Sequence, residues 1–371
     1  MIKIAFVIDK IVSPTAGTEK QLLLLIKNLD RNKFDPHLCV LQSTAWLENE
    51  FDLCKKYVAG INSIMSLKSL KNTVALANYF RSNGISVVQT HFPDSSIVGI
   101  VAAKFAGVTK IVASRRNQDC RSLFESIIEK SLNYWVTSFI ANSESTKKWA
   151  MANENIDSRK IHVIHNGLDF LPIPDDRSEV RKRIRTELGF SEKNLVIGIV
   201  ANLRPIKNHT TFLMAARQVI NILPDSRFLI VGSGFELRKL QNLCDELEIS
   251  NHTFFLGERK NIPDLLSAFD LGVLSSDSES FSNALVEYMA AGLPVVTTNV
   301  GGADEAITEG MNGYIVPIGD HRAMAECIVR IFNSGRQHEM GANGREMAIN
   351  KFSVKKMLAD HEDVFGQAKY D

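Results

Sequence analysis

Leu271-Gly-Val-Leu-Ser-Ser-Asp-Ser-Glu-Ser-Phe-Ser-Asn-Ala-Leu-Val-Glu-Tyr-Met-Ala-Ala-Gly-Leu-Pro-Val-Val-Thr297 reads as strand, loop, helix, turn and strand. Leu271–Leu274 and Val295–Thr297 are short apolar runs bounded by turn residues, as buried strands of a parallel sheet are. Between them, Ala284–Ala291 has helix length, and Gly292-Leu293-Pro294 stops it. The stretch is therefore one strand–helix–strand unit.

Working outward, the alternation continues. Leu195–Val200, Phe228–Val231 and Thr253–Leu256 are further strands of the second half. In the first half, Ile2–Ile8, Leu38–Leu41, Val87–Gln89, Ile111–Ala113, Phe139–Ala141 and Ile161–Ile164 alternate with the helical patterns Glu19–Leu29, Thr73–Arg81, Ser95–Phe105 and Leu123–Trp135. Gly167–Asp176, with Pro172 and Pro174, reads as a linker, and the charged helix Glu179–Leu188 follows it. The expected fold class is α/β, with two Rossmann-like open parallel-sheet domains facing a cleft. The first would span 1–170, which a tail helix in 354–371 could join, and the second 171–353. Ligands of such sheets bind outside the carboxyl ends of the strands.

A length of 371 residues suits two domains, and 45% apolar residues suit a globular chain. The net charge of +1 gives no reason to expect nucleic acid as a partner. Residues 1–175 hold 21 Lys and Arg against 16 Asp and Glu, so the first half is mildly basic and the second acidic. The five cysteines (Cys39, Cys54, Cys120, Cys244, Cys327) stand singly, which points to reduced thiols and a cytoplasmic setting. Met1–Val12 is interrupted by Asp9 and Lys10 and reads as a first strand, not a leader. No segment approaches the ~18–20 apolar residues of a membrane span, so any contact with an anionic inner membrane would be peripheral. The pairs Lys55-Lys56, Lys147-Lys148 and Arg115-Arg116 could serve such a contact or simply be solvated.

The chemistry concentrates between Ser275 and Ile315. A loop of small polar residues entering a helix offers backbone N–H groups at the positive end of the helix dipole, a site suited to a diphosphate. Glu279 and Glu287 lie eight positions apart across that entry. A carboxylate can accept hydrogen bonds from two vicinal hydroxyls at once, so one could hold a ribose and the other a hexose.

Glu279-Ser-Phe-Ser-Asn-Ala-Leu-Val-Glu287, followed by Val300-Gly301-Gly302-Ala-Asp-Glu305 and Gly313-Tyr-Ile-Val, resembles the signature of family-4 glycosyltransferases with the GT-B fold. Ala201-Asn-Leu-Arg204-Pro-Ile-Lys207-Asn-His resembles the phosphate-binding segment of the same family. Phe255-Leu-Gly257, Ile164-His-Asn166-Gly167-Leu-Asp169 and Gly17-Thr-Glu19 extend the likeness over most of the chain. The resemblance implies a retaining hexosyltransferase with a nucleotide-diphosphate sugar as donor and a glycan or lipid-linked acceptor, in polysaccharide or lipopolysaccharide assembly. It implies that Glu287 binds the ribose, Glu279 the donor sugar and Lys207 the leaving diphosphate, with backbone contacts from Ser280, Phe281, Ser282, Asn283, Ala284 and Leu285. Gly17, in a matching segment, is a further donor-binding candidate, and so is Gly232, which closes the turn after Phe228–Val231 with a minor part in nucleotide binding. No cofactor or metal is implied; Asp277-Ser-Glu279 is the nearest thing to an Asp-x-Asp pair and lacks the second Asp.

Two positions depart from the family pattern. Asn202 stands where an arginine is usual, and Arg204 lies two residues on. After the fifth strand the family often has a histidine; here the chain reads Ser114-Arg115-Arg116-Asn117. Arg115, Arg116 and His91 are therefore the acceptor-side candidates. A related epimerase, a cytosolic disaccharide synthase or a silent nucleotide-sugar-binding subunit would share these motifs. A nicotinamide-dependent dehydrogenase is disfavoured, because neither half carries Gly-x-Gly-x-x-Gly directly after its first strand; Gly232-Ser-Gly234 stands alone.

Overall fold

In the computed structural model, residues 1–14, 17–116, 123–169 and 177–366 are described. The chain divides into two compact units, Met1–Gly167 together with Val354–Asp371, and Leu168–Ser353. The expected linker residues 170–176, as well as Asn117 and Cys120, lie outside the described residues.

The first unit is built on seven parallel strands: β1 (Ile2–Ile8), β2 (Phe34–Val40), β3 (Lys55–Val58), β4 (Val87–Thr90), β5 (Lys110–Arg115), β6 (Ser138–Ala141) and β7 (Ile161–Val163). Their order is β3-β2-β1-β4-β5-β6-β7. The second unit has β8 (Leu195–Val200), β9 (Ser226–Val231), β10 (Thr253–Gly257), β11 (Leu271–Leu274), β12 (Val295–Thr298) and β13 (Gly313–Val316), in the order β10-β9-β8-β11-β12-β13. Helices on both faces bury the central strands, which is why β1, β8 and β11 are apolar almost throughout, while β4 and β12 start on paired valines and end on the buried Gln89, Thr90, Thr297 and Thr298. The strand β3 is the exception. It lies at an edge with Lys55, Lys56 and Val58 exposed, so it needs no apolar run and gave no such signal.

The tail helix Val354–Gly366 belongs to the first unit. Phe365 packs edge-on against Phe6 and Phe34, each at 6.1 Å between ring centroids. Gln21 accepts from Gly167 N–H at 2.9 Å and donates to its carbonyl at 3.0 Å, fixing the chain at the unit's exit.

In the second unit the highly charged helix Arg177–Glu187 is held by ion pairs as well as apolar contacts. Arg185 is only 1% exposed and meets Asp270 Oδ2 at 2.6 Å. That oxygen also accepts from Val196 N–H at 2.7 Å, and Arg181 reaches Asp270 Oδ1 at 2.7 Å. With Arg185 donating as well to the Ala268 carbonyl, the helix is registered on the start of β8.

Candidate active site

In the second sheet, β8 lies between β9 and β11, so the loops leaving β8 and β11 diverge and open a crevice at the strand ends. The loop after β8 lies on the turn after β9. Leu203 N–H donates to Ser233 O at 2.9 Å, and a Cβ at Gly232 would sit 2.1 Å from Ala201 O. One at Gly234 would sit 2.3 Å from Leu203 O. Gly232, at φ +142°, and Gly234 thus permit this close stacking of two loops. The chain then turns through Pro205–Lys207. Asn208, in the left-handed region at φ +43°, caps the helix His209–Ile222 by accepting from Thr211 N–H.

The loop after β11 is stitched to this one. Asp277 N–H donates to Ile206 O at 2.8 Å, Ser275 Oγ to Lys207 O at 3.0 Å, and Asn208 Nδ2 to Asp277 Oδ1 at 2.6 Å. At the centre Lys207 Nζ meets Glu279 Oε1 at 2.5 Å, and Ser276 Oγ donates to the same oxygen at 2.8 Å. The two side chains remain 25% and 13% exposed, open enough for a ligand to reach. Gly301, at φ +53°, explains the paired glycines that follow β12. A Cβ there would lie 2.4 Å from Glu279 O, and Gly302 N–H donates to Ser280 O at 3.2 Å.

The helix Asn283–Ala290 enters from this loop. Ser282 stands at its N-cap without a side-chain capping bond. Phe281 and Leu285 are buried, Phe281 against Phe352 at 5.2 Å, so only their backbones can serve a ligand. Tyr288 sets the helix. Its buried hydroxyl accepts from Val200 N–H at 2.7 Å, and its ring occupies the space over Gly272, where a Cβ would come within 2.5 Å. This anchors the helix to both central strands and so fixes the half-buried Glu287 one residue before it. The structure thus places Lys207 and Glu279 together and gives the Glu287 helix a fixed seat. Asn202 and Arg204 are exposed, and no acidic side chain of the described residues pairs with Arg204. Ser276, Asn208 and Tyr288 escaped the sequence reading; Asn208 lay in the Lys207-Asn-His run, but nothing in the sequence marks the Tyr288 bond.

The first sheet has its own switch point between β1 and β4. Gly17 opens the helix that follows β1. His91 follows β4, is buried, and has no hydrogen-bond partner for either ring nitrogen. Burial drives its imidazole well below its usual pKa. Arg116 follows β5 and donates to Asn166 Oδ1. Desolvation lowers its guanidinium to about 10, opposed by Glu19. Arg115 must be withdrawn as an acceptor-side residue. It is 3% exposed, pairs with Glu154 at 2.7 Å, donates to Asn133 Oδ1 at 2.9 Å and lies over the Phe139 ring. As the last residue of β5 its side chain points into the unit, whereas Arg116 lies beyond the strand. Among the described residues no group of three or more His, Cys, Asp or Glu is placed to hold a metal ion.

Two open parallel α/β sheets in tandem, with the second switch point built from a Lys–Glu pair and a helix N-terminus, define a GT-B glycosyltransferase. Residues 15–170 match the family described as Glycosyltransferase Family 4, and residues 180–347 match Glycosyl transferases group 1. The chain belongs to the family-4 glycosyltransferases and is a transferase enzyme. It is 27% identical over 384 residues to the Escherichia coli UDP-Gal:alpha-D-GlcNAc-diphosphoundecaprenol alpha-1,3-galactosyltransferase, covering 98% of this chain and 96% of that one. It is 25% identical over 321 residues to the Staphylococcus aureus capsular polysaccharide biosynthesis glycosyltransferase CapM, covering 81% and 82%. The crystal structure of Anabaena HepE in complex with UDP superposes with a TM-score of 0.85 at 24% identity, covering 98% and 99%.

Proposed function

We propose that this enzyme is a retaining hexosyltransferase. It takes its sugar from a nucleotide-diphosphate donor and passes it to a glycan or lipid-linked acceptor in the assembly of a surface polysaccharide. The observation that carries the reading is the Lys207–Glu279 pair at the second switch point, beside a helix N-terminus. Breaking the bond to the anomeric carbon sends negative charge onto the diphosphate, and a fixed cation and helix dipole there lower the barrier. Glu279, held by Lys207 and Ser276, suits the anchoring of sugar hydroxyls better than attack on carbon. As the bond from the anomeric carbon to the phosphate oxygen breaks, that phosphate oxygen can take the acceptor hydroxyl's proton while the acceptor oxygen bonds to the same face of the sugar, so no protein nucleophile is needed.

Glu287 would hold the ribose, and backbone N–H groups of Ser280–Leu285 the diphosphate. The E. coli relative named for UDP-Gal and a diphosphoundecaprenol acceptor supports a hexose donor and a lipid-linked acceptor. On the first unit, Arg116 donates to the neutral Asn166 with Glu19 near enough to favour its charge, and that charge suits an anionic group of the acceptor. Transfer requires no divalent metal in this scheme. Nuclear magnetic resonance of the product made from an α-linked donor is the test. An α-linkage is expected, and a β-linkage would overturn retention.

A further inference from the structure

Between Asp52 and Asp94 the chain carries no acidic residue, yet holds Lys55, Lys56, Lys68, Lys71 and Arg81. This stretch contains the edge strand β3 and the helix Leu67–Asn83 of the first unit. The two are joined: Tyr57 stacks on Tyr79 at 4.4 Å, and Asn72 Nδ2 donates to Gly60 O at 3.0 Å. The helix buries Leu76, Ala77 and Phe80 in the core of its unit. Its first two turns do something different. Leu67 is 90% exposed, Leu70 61% and Val74 46%, and Met65, just before the N-cap Ser66, is 66% exposed. Positions 67, 70 and 74 share one helix face. Lys68 and Lys71 flank it, exposed, and no acidic side chain of the described residues pairs with them. Lys56 is partly engaged, donating to the Leu47 carbonyl at 2.7 Å, while Lys55 is exposed at the strand edge.

Single exposed apolar residues need no explanation, but four within ten positions, flanked by Lys68 and Lys71, form a contiguous patch of the kind that marks an interaction site. We infer that the face formed by Met65, Leu67, Leu70 and Val74 with Lys68 and Lys71 docks this enzyme on an anionic phospholipid bilayer. The apolar side chains enter the interface while the ammonium groups meet lipid phosphates. The lack of any carboxylate over the whole segment favours a negatively charged surface over a second copy of the chain, whose own facing patch would repel it. The inference holds whichever sugar is transferred.

Flotation of the full chain with vesicles tests it. Binding to phosphatidylglycerol-containing vesicles is expected, with little binding to pure phosphatidylcholine and a marked fall as salt rises. Lys68→Gln with Lys71→Gln should weaken partitioning about 25-fold, taking about fivefold per lysine, and Leu67→Ser with Leu70→Ser should abolish it. Both variants lie on the surface of the first unit, so their circular-dichroism spectra and melting temperatures should equal wild type and certify the fold. Equal binding to neutral vesicles, or unchanged flotation of both variants, would overturn the assignment. So would a dimer in light scattering that the leucine variant dissolves.

Discussion

Lys207 Nζ and Glu279 Oε1 meet at 2.5 Å across the point where the strand order of the second sheet reverses, between β8 and β11. The pair joins the loop after β8 to the loop after β11, so a single contact sets both the cation and the carboxylate of the site. Removing the cation by Lys207→Ala should lower turnover by roughly 10²–10³, the usual loss for one transition-state donor. It also strips Glu279 of its partner. The double variant Lys207→Ala with Glu279→Gln should therefore cost less than the two single losses added. Steady-state kinetics of the three variants decide; full additivity would mean the two groups act separately.

Arg204 is exposed and unpaired by any described acid, two residues beyond Asn202. We propose that its long side chain joins Lys207 at the leaving diphosphate. Arg204→Ala should reduce turnover, by less than Lys207→Ala, and should reduce it more than it weakens donor binding. Wild-type turnover would assign Arg204 to the solvated loop and leave Lys207 as the sole charge of the clamp.

Glu287 sits on a helix seated by the Tyr288–Val200 hydrogen bond. Glu287→Ala should weaken the affinity for the bare nucleoside diphosphate, since each charge-assisted bond to a ribose hydroxyl is worth about 1.5–3 kcal/mol. Calorimetry measures this without any acceptor. Unchanged affinity would return Glu287 to the role of a surface helix residue.

Much of this site was legible because its parts are local in sequence. The run from Leu271 to Thr297 contains strand, anion loop and helix in order, and the motif residues fall where a βαβ unit must put them. What could not be read depends on contacts between distant segments. The Tyr288 hydroxyl is spent on Val200, 88 residues away in sequence. Arg115 and Arg116 are neighbours with opposite fates, decided by where β5 ends and by Glu154. The edge strand β3 was missed because apolar runs mark strands buried on both faces, and Lys55–Val58 is not one. The Gly232-Ser-Gly234 turn proved to be a seat for the loop carrying Asn202 and Arg204.

Acid should unfold the enzyme earlier than its carboxylates require. His209 and His361 are buried, and burial depresses both to about 4; His91 is depressed as well. The unfolded histidines titrate near 6.5. Between those values the unfolded chain binds more protons, so stability is full above about pH 6.5 and is lost as pH falls toward 4. Asp9, raised by burial, works the other way. The melting temperature should fall between pH 7 and 4.5, and His361→Gln should flatten that slope; a pH-independent melting temperature would contradict the buried neutral histidines.

The most direct test is acceptor-dependent release of nucleoside diphosphate. The purified enzyme would be given a UDP-hexose and a lipid-diphosphate sugar acceptor in excess EDTA, and both products quantified by chromatography. The account predicts equal amounts of UDP and glycosylated lipid, formed at undiminished rate in EDTA and nearly lost in Lys207→Ala. Activity that vanishes in EDTA and returns with Mg²⁺, or Lys207→Ala turnover equal to wild type, would contradict it.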